Sequence, residues 1–465
     1  MSFCIILAAL VFLMVAAYRG YSVILFAPIA ALAAVLLTDP MLVAPMFTGL
    51  FMEKAVGFLK LYFPVFLLGA VFGKLVELAG FSKAIVSAFV HLLGRRHAIF
   101  SIVAVCALLT YGGVSLFVVV FAVYPFAAEL FRQSGLPKRL IPATIALGAF
   151  TFTMDSLPGT PQIQNIIPGP FFTTNIYAAP WLGSIGAVFI LVAGLLYLNG
   201  CSRRAAAAGE GYGDNLLHEP EPFVEERLPH PGIAILPLIL VGVMNLVCTR
   251  AIPRLYGETH SFPSAVVGQA APVTQEIAKV NPIWSVEGAL LSGIATVLAF
   301  GWKPVVGKFA EGSKPAIAGA LLASMNTASE YGFGAVIAAL PGFRIVAEAL
   351  KSVPHPLINE AVTVNLLAGI TGSASGGLSI ALGAMGGTFL QNAAAAGIPP
   401  EVLHRIASMA SGGMDTLPHN GAVITLLTVT GLTHRQSYGN IFVITGIKTV
   451  AVFMVIAVYH LTGLV

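Results

Sequence analysis

The sequence predicts an all-α polytopic membrane protein made of two inverted repeats of about five crossings each. Three observations carry this: a composition too poor in charge for a water-facing surface, long apolar runs interleaved with broken ones, and an internal repeat whose two copies differ in loop charge.

Hydrophobic residues make up 57% of the 465 positions and charged residues 9%, and the mean hydropathy is +0.90. A soluble domain carries about 25% charged residues. Lipid is therefore the expected solvent for most of this chain. A net charge of +4, without a basic run interleaved with aromatics, gives no reason to expect a nucleic-acid partner. Cys4, Cys106, Cys201 and Cys248 are scattered, with no CxxC spacing, so no metal centre, cofactor or disulfide framework is expected.

Apolar runs of spanning length fall near 3–17, 22–38, 61–80, 180–199, 232–249, 283–301, 316–340 and 438–462. The first lacks a basic stretch before it and reads as a span rather than a leader. Four further segments, near 98–131, 140–176, 356–396 and 402–432, are apolar but interrupted by Gly, Pro and hydroxyl residues. The polar stretch 200–230 reads as a solvated cytoplasmic linker, and 250–281 as a surface loop.

The chain repeats itself. TYGGVSLFVVVF (110–121) matches ASGGLSIALGAM (374–385), SGLP (134–137) matches AGIP (396–399), and MDSLPGTP (154–161) matches MDTLPHNG (414–421), at offsets between 260 and 264. The matched pieces are the unusual ones rather than generic Leu/Val runs. This divides the chain into a first repeat (1–199), the linker (200–230) and a second repeat (231–465). Loops around the first interrupted segment hold Lys83, Arg95, Arg96, Arg132, Lys138 and Arg139, which the positive-inside rule places in the cytoplasm. The matching loops of the second half mix Arg344, Lys351 and Arg405 with Glu348 and Glu401 and are expected outside. Each half then crosses an odd number of times. The topology requires 98–131 and 356–396 to be re-entrant hairpins, and 140–176 and 402–432 to be spanning helices broken at DSLPGTP and DTLPHNG.

Two hairpin tips and two helix breaks meeting near mid-membrane form a recognised recipe for a solute site. At the tips, Thr110, Gly112, Gly113 and Ser115, and Ser373, Ser375, Gly376, Gly377 and Ser379, offer hydroxyls, close backbone approach and helix N-termini suited to an anion. The competing reading is that these glycines only pack helices. The breaks add Ser156, Gly159, Thr160 and Gln162, and Thr416, His419 and Asn420. Candidate proton carriers are Asp155, Asp415, Glu330 and His419, because a deep ionisable residue is functional by default. An Asp before a helix break also suits a plain N-cap. Glu330, in MNTASEYG (325–332), is expected to meet only hydroxyls such as Thr327 and Ser329, with no fixed cation to hold it charged. Ser156 beside Asp155 is the only faint nucleophile–base pair. Adjacent helical residues do not face each other, and no P-loop, HExxH or GxSxG pattern occurs, so no enzyme is expected.

At these residues the chain resembles a known family. YRGYSVILFAPIAAL (18–32), the GGVSLF hairpin and MDSLPGTPQIQN (154–165) look like the gluconate:proton symporter family, within its hydroxybutyrate-permease-like subgroup. The resemblance implies the ion-transporter superfamily fold, an elevator mechanism, a homodimer in the bacterial inner membrane, and proton-coupled symport of a small hydroxy-carboxylate. A sodium-coupled carrier and a passive facilitator are the rival readings.

Overall fold

The computed structural model describes residues 2–19, 21–93, 97–114, 116–213, 219, 228–262, 273–343, 355–418 and 420–465. Ser115 and His419 therefore lie outside the described residues, as do Arg344 and Lys351. The first half runs α1 (Ser2–Tyr18), α2 (Val23–Thr38), α3 (Pro40–Leu78), α4 (Phe81–Leu93), α5 (Ala98–Tyr111), α6 (Leu116–Gln133), α7 (Ile141–Ala149), α8 (Phe152–Asp155), α9 (Ile163–Ile166), α10 (Pro168–Phe172) and α11 (Pro180–Ala207). The second half runs α12 (Pro231–Tyr256), β1 (Thr259–Phe262), β2 (Val273–Glu276), α13 (Ile277–Val306), α14 (Phe309–Ala339), α15 (Pro356–Thr371), α16 (Ala374–Ala395), α17 (Pro400–Ser411), α18 (Gly421–Thr430) and α19 (Gly439–Thr462).

Among the described residues, α3, α11, α12, α13 and the helix ending the chain are long and apolar enough to cross a membrane. Large apolar side chains such as Leu37, Val188 and Phe300 lie exposed on the outside, the arrangement that a lipid solvent favours. The run expected at 61–80 is the second part of a longer helix that starts at Pro40 and passes through a π-helical turn at Met46–Phe51. Helix α13 kinks at Gly301, three residues before Pro304, whose ring cannot sit against the preceding turn.

Each interrupted segment folds around its interruption. The first hairpin is α5 and α6, joined through Gly112 and Gly113, the latter at φ +91°. The second is α15 and α16, joined through Gly372 at φ +65° and Ser373, which caps α16 by accepting from the Gly376 amide at 3.0 Å. Both hairpins end alike. Gly135 and Gly397 adopt φ +64° and +68°. The next amide turns back onto the helix in each case, Leu136 to Phe131 and Ile398 to Ala393, both at 2.9 Å. These are left-handed C-terminal stops that glycine makes cheaply, and they fall on the matched SGLP and AGIP.

Packing sorts the helices into two bodies. One holds α1 to α3 with α12 to α14, in which α12 lies on α13 and α14 lies on α2 and α3; α4 packs on both this body and the first hairpin, and α14 also packs on α16 of the other body. The other holds both hairpins, both broken helices, α11 and α19. Small residues let α11 approach this second body: Gly183 lies against the Ser156 carbonyl, Gly186 against Met409 and Val455, and Gly194 against Leu147.

The chain is not wholly helical. β1 and β2 pair antiparallel from Thr259↔Glu276 to Phe262↔Val273, within the segment expected to be a plain loop. THSF and VTQE supply the β-branched and aromatic residues that suit a short ribbon. The start of the linker is also docked rather than free. Glu210 takes Arg139 in a bidentate pair at 2.6 and 2.7 Å. Glu219 pairs with Lys138 at 2.7 Å and with Arg132.

Candidate functional site

The breaks bring the two halves together. α7 stops at Ala149, and the chain does not return to long helix until α11. The carbonyls this leaves without a helical amide need other donors, because no water replaces them in a membrane interior. Two cations from the second half supply them. Lys448, on α19, donates to the Phe150 carbonyl at 2.8 Å and to Asp415 Oδ1 at 2.7 Å. Arg405, on α17, is wholly buried. Its guanidinium donates to the carbonyls of Asp155 (3.1 Å), Ile176 (3.3 Å) and Ala178 (2.8 Å), and to Asn165 Oδ1 (3.0 Å). The loop holding two of these carbonyls is flanked by Thr173 and Ala179, both at positive φ, a strained conformation that the surroundings must enforce. His404 completes the clasp, with Nδ1 2.6 Å from Thr174 Oγ1 and Nε2 3.1 Å from the Asn165 carbonyl.

Arg405 was expected in an exterior loop and is instead buried inside a helix. HRIASM places it one turn into α17, on a helix whose polar side chains turn inward. It therefore says nothing about sidedness. Asp415 accepts backbone amides, as the N-cap reading gave it, and meets a fixed cation as well. Asp155 is the last residue of α8. Because the helix ends there, Ser156 does face it, donating to Oδ1 at 2.6 Å. Its Oδ2 has no hydrogen-bond partner and packs on Gly412, 1.8 Å from where a Cβ would stand.

Most predicted residues at the first tip and break serve to hold the backbone. Gln162 donates to the Thr110 carbonyl at 2.7 Å and to that of Val114 at 3.4 Å, so the break grips its own hairpin tip. Gly112 packs under Leu238. Gly159, at φ +83°, lies under the Tyr177 ring. Thr160 bonds the Thr153 carbonyl at 2.6 Å. The Thr110 hydroxyl is buried with no partner. The second break repeats the grip: Asn420 donates to the Gly372 carbonyl at 2.8 Å while capping α18. Thr416 pairs with Thr445 at 2.6 Å. Gly377 lets α16 touch α15, since a Cβ there would stand 2.2 Å from the Ala368 nitrogen.

The second tip differs. Glu330, 2% exposed on α14, reaches the N-terminus of α16 and touches Ser373. Its Oε2 has no partner and lies 1.7 Å from the position of a Cβ on Gly376. The hydroxyl that serves it is thus on the hairpin. Thr327 turns instead to Ser375 at 3.2 Å. Six residues on from the cap, the Ser379 hydroxyl is buried without a partner and lines a cavity of about 380 Å³ shared with Lys54, Phe58, Tyr62, Phe171 and Tyr331. A pocket of that size, mostly apolar with a few polar groups, suits a small solute.

Among the described residues, the burial of His404, Lys448 and Glu360, and of Arg405 and Lys138, which were read as loop cations, escaped the sequence reading. Glu360 is fully buried on α15, with neither carboxyl oxygen partnered. For Lys448 the signal was present, since a lone lysine in an apolar run already marks a functional site.

No family model matches the sequence. A protein of Bacillus subtilis (strain 168), known as the uncharacterized transporter YxjC, is 58% identical over 474 residues, with all of both chains covered. The chain belongs to the YxjC transporter family. It is a multi-pass membrane transporter and not an enzyme. Its fold is similar to that of the Alcanivorax borkumensis YdaH transporter, with a TM-score of 0.51 at 14% identity over 92% of this chain and 90% of that one. A weaker likeness, at a TM-score of 0.46 and 14% identity over 87% of this chain and 82% of that one, is to Neisseria gonorrhoeae MtrF. The YxjC relative and the YdaH-like fold overturn the resemblance to the gluconate:proton symporter family. The motif that suggested it, DSLPGTPQIQN, spells a helix break, and its residues encode local geometry: Gln162 grips a tip, Asn165 binds Arg405, and Gly159 takes a positive φ.

Proposed function

We propose that this YxjC-family chain is a secondary active transporter that moves a small organic anion together with protons, with Glu330 as the proton-carrying group. The observation that carries the reading is the place of Glu330: deeply buried, one oxygen unpartnered, and set between a helix of one body and the hairpin tip of the other. A charged carboxylate buried without a cation is costly in a membrane, and protonation removes that cost. The group also touches Ser373 and Gly376, at the tip that bears the cavity. Its protonation therefore alters the surface on which the two bodies meet.

The cavity supplies the solute reading. Its polar lining is the Ser379 hydroxyl, Tyr331 and, at the rim, Lys54 with Glu53, whereas the Tyr62 hydroxyl is taken by the Ile167 carbonyl. An ammonium and hydroxyls favour a carboxylate, and the ring walls favour an apolar body over a polyhydroxylated one. In an elevator scheme the moving body is the hairpins, the broken helices, α11 and α19, and the remaining helices are the scaffold. The matched left-handed stops at Gly135 and Gly397 support the repeat.

Uptake into proteoliposomes, over a panel of small carboxylates under an imposed pH difference, tests the proposal. Concentrative uptake of at least one, abolished by a protonophore, is expected. Uptake that only equilibrates would point to the passive facilitator.

A further inference from the structure

We infer that Lys448 and Arg405 are resident cations, filling the oxygen sites that the helix breaks open and that a carrier of this build would otherwise offer to sodium. The inference rests on reading the chain as an ion-driven carrier, and adds the ion it does without.

Broken helices in carriers present unwound carbonyls that coordinate transported cations. Here those carbonyls are taken. Phe150 and Asp415 hold the Lys448 ammonium at 2.8 and 2.7 Å. Asp155, Ile176, Ala178 and Asn165 surround the guanidinium of Arg405 with four oxygens between 2.8 and 3.3 Å. Both cations are tethered to the second half, while every acceptor named here except Asp415 comes from the first.

Charge makes the same argument. The cluster holds two carboxylates, Asp155 and Asp415, and two side-chain cations, all buried. Asp155 lies within electrostatic reach of both cations. Fully ionised, the four groups sum to zero. A bound sodium would leave a net positive charge in a place closed to water, where an uncompensated charge is strongly disfavoured. Removing the lysine reverses the balance: an acid and a bare carbonyl are left around a space the size of an ammonium, which sodium with a water can enter.

The test needs no transported solute. Purified full-length protein in detergent is unfolded by heat in sodium chloride and in choline chloride at equal ionic strength, and radiolabelled sodium binding is measured alongside. For the wild type we expect equal midpoints in the two salts and no sodium bound above the cold-competed background. Lys448→Ala is expected to melt about 2 °C or more higher in sodium than in choline and to bind sodium. Should Lys448→Ala not yield folded protein, Lys448→Ser, which is equally short and also frees the Phe150 carbonyl and Asp415, is read in the same way. Sodium binding or sodium-specific stabilisation in the wild type overturns the inference whatever the variants do, as does a folded variant indifferent to the salt. Failure of the carrier reading would look different: no wild-type exchange of any carboxylate in proteoliposomes, with either salt.

Discussion

The carboxyl of Glu330 occupies the space that a side chain on Gly376 would need, with Oε2 1.7 Å from the Cβ position. The neighbouring glycine is crowded differently. At Gly377 the obstacle is the Ala368 backbone at 2.2 Å. A backbone cannot swing aside, whereas the end of a glutamate can. Gly377→Ala should therefore destabilise the fold by about 1–3 kcal/mol, read as a lower melting midpoint. Gly376→Ala should keep most of that stability but displace Glu330 and lose pH-driven uptake. Equal midpoints for the two variants, or full uptake by Gly376→Ala, would contradict this.

Ser379 has a buried hydroxyl with no protein partner beside the cavity. Replacing it with alanine removes no internal bond, so stability should hold. If the hydroxyl serves a charged solute, its loss should weaken apparent affinity by about ten- to a hundredfold, from the 1.5–3 kcal/mol of a charge-assisted bond. Transport kinetics beside a melting curve separates the two effects. A lowered midpoint with an unchanged KM would assign Ser379 to packing.

Arg405 answers four oxygens with one planar group. Arg405→Met should cost about 3–5 kcal/mol, because those acceptors stay buried and lose their donor. Arg405→Lys should recover only part of it, since an ammonium cannot reproduce the fork. Thermal midpoints of the two variants check the order. A lysine variant as stable as the wild type would refute the geometric argument.

The two hairpins and the two breaks were legible because their residues are odd for a membrane: paired glycines, Pro three residues after Asp, amides in apolar runs. The buried cations were not. Arg405 follows Glu401 in a short amphipathic stretch that reads like a loop, and only the tertiary fold turns it inward. The partner of Glu330 was hidden for a similar reason, since Ser373 lies 43 positions away in sequence on another helix.

The linker should release in acid. Glu210 is held below the usual glutamate range by its hydrogen bonds to Arg139. Burial pushes Glu219 up, but Lys138 and Arg132 together outweigh it and hold the group low. A carboxylate lowered on docking favours the docked form above its free pKa, and that contribution is lost as pH falls through the lowered value. Protection from hydrogen exchange at 208–213, corrected for the intrinsic pH dependence of amide exchange, should be high at neutral pH and fall below about pH 4. Because Glu210 is partly exposed, salt should also lower it. Protection indifferent to both would mean that the ion pairs do not hold the linker.

The most direct measurement is the fate of accumulation in Glu330→Gln. Glutamine keeps the size and a hydrogen bond for Ser373 but cannot carry a proton. Proteoliposomes receive a pH difference and a carboxylate that the wild type concentrates, and the same preparation is assayed for exchange without a gradient. The account predicts that Glu330→Gln exchanges solute at a rate within about tenfold of wild type, because solute contacts remain, yet never exceeds equilibrium, because the coupling group is gone. Accumulation at wild-type level by Glu330→Gln would contradict it and move the proton to another group.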